Sequence, residues 1–322
     1  MTDPDFEYPT LLGLPTGTPD DLRPGHVAVI GASEATPYDA AEASHSALAP
    51  GAIRAASKAL AGQLRQHDFD TGSTLVTPER PVEAIGLDLG DVRTRVRDAE
   101  GNRARIAAAV RRVLAAGATP LVLGGDDSVP IPMLAGFDIG ADRRGPVTIV
   151  QVDAHVDWAD TIRGQDKGYG SPMRRVAAMP WVGGMVQIGI RGLGSGEAWQ
   201  HDDARRWGSR LVTSREWRAG GVDAALAALP AGGRFVLCLD CDGLDPAVFP
   251  SVAMPTPGGL NYDDMLALLH GLSARGTIAG VVIAEYVPER DDAARSCALL
   301  AARIALSAIG LIHTRPYSAA AS

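Results

Sequence analysis

Residues 147–157 read VTIVQVDAHVD. The first six form a short β-rich run, and the last five set Asp153, His155 and Asp157 at alternate positions. Continuous runs of this kind mark strands buried on both faces, the habit of parallel sheets. The pattern recurs along the chain. Candidate strands lie at 26–30, 82–87, 120–123, 186–190, 210–212, 234–239 and 277–284, with helical patterns at 52–64, 101–116, 222–228, 262–273 and 291–311. Strands alternating with helices predict an α/β fold. We expect a three-layer α/β/α arrangement around a mostly parallel central sheet of about eight strands. No Pro/Gly/Ser linker divides the chain and no internal repeat is present, so the expected organisation is an N-terminal arm, 1–25, and one α/β domain, 26–322. Two long loops, 31–51 and 160–172, are of the length that often carries function.

Ligands bind open parallel sheets outside the C-terminal ends of the strands. Four strands here end in acids: GGDDS (124–128) with Asp126 and Asp127, DAHVD (153–157), DCDGLDP (240–246) with Asp240, Asp242 and Asp245, and Glu285. One aspartate closing a strand is ordinary turn chemistry. Four such ends are not. In D-x-H-x-D and D-x-D, alternate residues of an extended chain share a face, so each motif can converge on one point. Crowded, desolvated carboxylates take up protons unless cations compensate them. An oxygen-rich set with one imidazole suits Mn²⁺ and is compatible with Ni²⁺, Fe²⁺ or Zn²⁺, and the number of acids suggests two ions.

Composition narrows the partners. The chain has 322 residues, 46% hydrophobic and 21% charged, with a net charge of −8. No Lys/Arg block is available to neutralise phosphates, which argues against nucleic acid. The acidic N-terminus MTDPDFEYPT does not resemble a signal peptide, and no apolar stretch reaches the length of a membrane span, so no membrane partner is expected. Cys238, Cys241 and Cys297 do not suggest a disulfide framework. Cys238 and Cys241 are three apart and would face opposite ways on a strand, which reads as core packing in a cytoplasmic protein.

Together these motifs resemble the ureohydrolases, the family of arginase and agmatinase. The family pattern G-G-D-H-S, D-A-H-x-D, S-x-D-x-D-x-x-D-P and P-x-x-G-T-P-x-x-G-G stands here as GGDDS (124–128), DAHVD (153–157), CLDCDGLDP (238–246) and FPSVAMPTPGGL (249–260). Glu285 in AEYVP matches the family glutamate before V-x-P, and VQIGIR (186–191) is similar to a family strand. The resemblance implies an arginase-like fold and a pair of divalent metals, Mn²⁺ first and Ni²⁺ second, that hydrolyse a guanidinium group to a urea and an amine. It implies that Asp153 and Asp240 bridge the ions, that His155 and Asp242 complete one, and that Asp157 and Asp127 complete the other. It makes Asp157 the carboxylate that also orients the attacking water, and Glu285 the acceptor for the guanidinium. It further implies trimers or hexamers, or pairing with a paralogous subunit.

Four departures bear on the substrate. Asp127 replaces a metal-ligating histidine. Tyr169, in GYGSPM (168–173), replaces a histidine that shuttles protons and contacts substrate. A phenol with a pKa of about 10 shuttles poorly at neutral pH but can stack on a guanidinium. Val252-Ala253-Met254-Pro255 replaces T-G-T-P and makes the wall apolar. The 31–51 loop lacks the family's G-x-R-x-G-P, and its His45 is either a substitute for the missing histidine or a solvated loop side chain. These changes suit a small cationic guanidine, alkylated guanidine or biguanide, with Glu285, Tyr169, His45 and Met254 as substrate contacts and Asp157, Glu285 and Tyr169 as catalytic candidates. The alternative is a catalytically silent subunit that pairs with an active paralogue. A zinc deacetylase is disfavoured because no two histidines are adjacent.

Overall fold

The computed structural model describes residues 9–39, 41–138 and 145–314. Ten strands are present among them: β1 (Val27–Ala32), β2 (His67–Asp68), β3 (Ser73–Thr74), β4 (Gly86–Asp91), β5 (Thr119–Gly124), β6 (Val147–Val152), β7 (Val182–Ile190), β8 (Arg210–Thr213), β9 (Gly233–Asp240) and β10 (Gly276–Ala284). β2 and β3 pair as a small antiparallel ribbon. The other eight form one sheet in the order β4-β1-β5-β10-β9-β6-β7-β8, and every pairing in it is parallel.

Alternation along the strands sorts the core into two layers. Val27, Val29, Leu121, Leu123, Val150 and Leu237 face one side, which the helices Ala49–Ala61, Tyr262–Arg275 and Ser296–His313 cover. Ala28, Ile30, Val122, Ile149, Val236 and Cys238 face the other, under Ala99–Ala115, Pro130–Ala135 and Pro172–Ala177. Cys238 and Cys241 fall in opposite layers, and all three cysteines are free and buried.

Several boundaries differ from expectation. The run 82–87 is not one strand: Val82–Ile85 is a helical turn entered from Pro81, and β4 begins at Gly86. That glycine lies so close to β1 that a Cβ would sit 1.9 Å from the Val27 carbonyl oxygen. The pattern at 291–311 becomes helical only from Ser296, because Asp291 spends its carboxylate capping the N–H groups of Cys297 and Ala298. Within the expected arm, Leu11, Leu12 and Leu14 are buried in the core. The Leu11 N–H donates to Asp88 Oδ2, on the carboxylate that also takes Arg54 bidentately at 2.8 and 2.9 Å. Ser296–His313, at 18 residues and mean hydropathy 1.7, is long and apolar enough to cross a membrane by length and composition. It is instead two-thirds buried against the rest of the protein, as a core helix is.

Candidate metal centre

The four acid-bearing ends belong to β5, β10, β9 and β6, which are consecutive neighbours in the sheet. Asp126 and Asp127 follow β5, Glu285 follows β10, Asp240 ends β9 with Asp242 in the 3₁₀ turn Cys241–Gly243, and Asp153 to Asp157 follow β6. Convergence is achieved by turns rather than by strand alternation. Asp157 and Glu285 both adopt positive φ, 47° and 64°, a conformation that costs a non-glycine residue about 1–3 kcal/mol. Two glycines permit the close approach of these loops. A Cβ on Gly125 would meet the Ser33 carbonyl oxygen at 2.0 Å, and one on Gly243 would meet the Asp153 nitrogen at 2.6 Å.

Asp127, Asp153, Asp157, Asp240 and Asp242 are all buried. Ligand atoms of Asp153, His155 and Asp242 lie within 4.8 Å of one another, and so do those of Asp127, Asp153 and Asp157. The two groups share Asp153. Asp240 is in neither; its Oδ1 accepts the Asp242 N–H at 2.7 Å while the side chain still lines the adjoining cavity. His155 Nδ1 sits 3.1 Å from Asp242 Oδ2 and 3.2 Å from Asp153 Oδ1.

Burial, compounded by the neighbouring carboxylates, pushes Asp127, Asp153 and Asp240 well above the usual carboxylate range. Burial also acts upward on Asp242, but the His155 imidazole outweighs it and holds this acid low. Among the described residues, no Lys or Arg forms an ion pair with any of the five. Asp127 Oδ2 is buried without a hydrogen-bond partner. An oxygen-dominated donor set with an orphaned carboxylate oxygen and no Lys or Arg partner among the described residues fits hard divalent metal ions. Asp153, His155 and Asp242 could hold one, and Asp127, Asp153 and Asp157 another.

The Arginase family model matches residues 26–310. The chain belongs to the arginase family. Mitochondrial guanidino acid hydrolase of Homo sapiens is 31% identical over 223 residues, covering 67% of this chain and 61% of that protein. Mitochondrial agmatinase of Gallus gallus is 30% identical over 252 residues, 75% of this chain and 69% of that one. Mitochondrial arginase 1 of Arabidopsis thaliana is 32% identical over 190 residues, 58% and 52%. The matches thus span about half to two thirds of the length of these curated relatives. Among solved structures, proclavaminate amidino hydrolase from Streptomyces clavuligerus superposes with a TM-score of 0.78 at 27% identity, covering 97% of this chain and 99% of that one.

Within this arginase-family site, Glu285 is fully engaged. Its Oε1 accepts the Asp127 N–H at 2.9 Å and its Oε2 lies 2.6 Å from His45 Nε2. His45 is therefore no solvated loop side chain. Burial alone would lower its pKa, but the Glu285 carboxylate more than reverses this. Burial in turn pushes Glu285 up despite the imidazole. The cavity in front of these groups measures about 510 Å³, and Tyr169 and Met254 line it as expected. Its wall also includes Tyr38, which sequence reasoning passed over. The Tyr38 ring packs on Tyr169 at 4.0 Å between centroids, and its hydroxyl accepts the Gly170 N–H at 2.8 Å. Tyr169 also meets His45 edge-on at 5.5 Å. Gln151 was passed over too, although a glutamine inside the run VTIVQV was a visible irregularity.

Proposed function

We propose that this chain hydrolyses a C–N bond of a small or alkylated guanidinium, releasing a urea and an amine, with two divalent metal ions, Mn²⁺ before Ni²⁺. The observation that carries this is the pair of three-residue ligand groups sharing Asp153. The names of its relatives, a guanidino acid hydrolase and an agmatinase among them, support the reaction class. The ions, when bound, supply a water-derived nucleophile at neutral pH and electrophilic assistance at the scissile carbon.

The chain's own residues do the rest. Glu285 accepts hydrogen bonds from the cation, a charge-assisted pairing. His45 holds a proton at Nε2 against Glu285 and is the group from which the departing nitrogen takes it. The Tyr38–Tyr169 pair offers an aromatic face to a planar cation. Ala253 and Met254 make one stretch of the wall apolar, while Thr161, Arg163, Ser195, Glu197 and Gln200 line the rest of the cavity mouth. The test is urea release by Mn²⁺-loaded protein over a panel of guanidine, methylated guanidines, biguanides, agmatine and arginine. We expect turnover confined to the small and alkylated members. Arginine as the best substrate would refute the specificity.

A second reading, a silent subunit paired with an active paralogue, is favoured by one observation. Both Glu285 oxygens already have protein partners, so a guanidinium has only the remaining lone pair of each oxygen to pair with. Urea release only after mixing with a paralogous chain, and never by this chain alone, would establish that reading.

A further inference from the structure

Gln151 stands in mid-strand on β6 directly opposite Gln187 on β7, and both amides are fully buried. Gln151 Nε2 donates to Asp153 Oδ2 at 2.6 Å and to Asp157 Oδ2 at 3.0 Å. Gln187 Nε2 donates to Gln151 Oε1 at 2.6 Å and to the Val156 carbonyl at 2.7 Å. Ser209 Oγ donates to Gln187 Oε1 at 2.8 Å.

The direction of this chain is fixed by chemistry. A backbone carbonyl can only accept, so the Gln187 group facing Val156 is its NH₂. That places the Gln187 oxygen towards Ser209. The second Gln187 hydrogen then requires an oxygen on Gln151, which turns the Gln151 NH₂ towards the two carboxylates. Both hydrogens of that NH₂ are used, one per carboxylate. A buried amide pair at the centre of an apolar sheet is costly unless every donor and acceptor is matched, and here each is.

We propose that Gln151, oriented by Gln187 and Ser209, is a positioning residue that clamps Asp153 and Asp157 and thereby shapes the all-carboxylate metal subsite. The inference rests on the metal-dependent reading above. The clamp touches two of the three members of the group Asp127, Asp153 and Asp157, but only the shared member of the group Asp153, His155 and Asp242. Gln151 carries no charge. It fixes the separation of two acids that repel each other while leaving Asp153 Oδ1 and Asp157 Oδ1 free of it. Outer partners of ligands typically tune metal affinity by 10–100-fold.

The test is Mn²⁺ titration of the full-length chelator-stripped protein, followed by calorimetry and electron paramagnetic resonance, with unfolding of the metal-free form as a second readout. For the unsubstituted protein two binding events are expected. Gln151→Leu removes both donors, and we expect one event to weaken by about 10–100-fold while the other moves far less. Gln151→Glu keeps the shape, cannot donate to both acids and should weaken the same event. Gln187→Met, which releases the orientation of Gln151 without touching a carboxylate, should produce a smaller loss in that event. Unchanged affinities in Gln151→Leu and Gln151→Glu would overturn the proposal. So would equal weakening of both events in step with lower stability of the metal-free form, because that is the signature of a core residue. If the unsubstituted protein binds no Mn²⁺, the metal-dependent reading fails instead.

Discussion

Asp127 has one carboxylate oxygen that is buried and meets no donor. Leaving such a group unpaired costs about 1–3 kcal/mol, more when it is charged. A cation shared with Asp153 and Asp157 removes that cost, and a donor set of carboxylates alone leans towards Mn²⁺ or Mg²⁺ over softer ions. We therefore expect Asp127→Ala to lose one of two bound Mn²⁺ ions and keep the other, counted by elemental analysis after gel filtration; equal occupancy of both sites in the variant would exclude a ligand role. At this scale the sequence was informative where residue types repeat a pattern. Asp153, His155, Asp157, Asp240, Asp242 and Glu285 were all picked out at strand ends; the structure gathers Asp153, His155, Asp157 and Asp242 into ligand groups and sets Asp240 and Glu285 on the adjoining cavity. His45 and Tyr38 were harder, because a 31–51 loop carries no periodicity from which a side chain's direction could be read. Only the fold shows that His45 ends 2.6 Å from Glu285.

The site loops, packed through Cys241, Leu244, Val252 and Leu260, are also held by an arginine. Arg191, just past β7, donates to the carbonyls of Asp242 at 2.7 Å, Leu244 at 3.1 Å and Thr256 at 2.6 Å, and to those of Gly189 and Gly243. One planar fork thus ties the end of β7 to the Asp242 turn and to Thr256, just after the segment that replaces T-G-T-P. Lysine has the charge but not the fork. Arg191→Lys should lower unfolding free energy by about 2–3 kcal/mol, measured by denaturant titration, and should weaken metal binding through Asp242 while leaving Asp127 in place. Long elements were legible from periodicity: β6, β7 and β9 and the helices Ala99–Ala115 and Tyr262–Arg275 lie where apolar spacing predicts them. The short helices Pro130–Ala135, Pro172–Ala177, Ala198–Trp207 and Ser214–Gly220 were not. The first two and the last span two turns or fewer, and Ala198–Trp207 buries only Ala204, so none has room for an apolar repeat.

Across the whole molecule, removing metal should be felt as lost stability. In the stripped protein the five buried acids have only the His155 imidazole as a counter-charge and must otherwise take up protons, whereas an ion that binds only the folded state stabilises it by about 2.7 kcal/mol at a hundredfold excess over Kd. Chelation should lower the melting temperature by several degrees, followed by differential scanning fluorimetry, and Mn²⁺ should restore it; no shift in either direction would count against a resident metal. The eight strands of the main sheet and their parallel sense could be read from the sequence, but the β2–β3 ribbon and the strand order could not, because periodicity says nothing of which strand lies beside which. That order has a kinetic meaning. β10, last of the strands in the chain, sits between β5 and β9 in the middle of the sheet. Without it the sheet separates into β4-β1-β5 and β9-β6-β7-β8, and Asp127 is parted from Asp153, Asp157, Asp240 and Asp242. Asp153, Asp157, Asp240 and Asp242 already meet through the β6–β9 pairing, and the insertion of β10 completes the crowding by bringing Asp127 and Glu285 to them. Occupation of the group Asp127, Asp153 and Asp157 would therefore report the closing of that seam, whereas the group Asp153, His155 and Asp242 lies wholly within the half-sheet β9-β6-β7-β8.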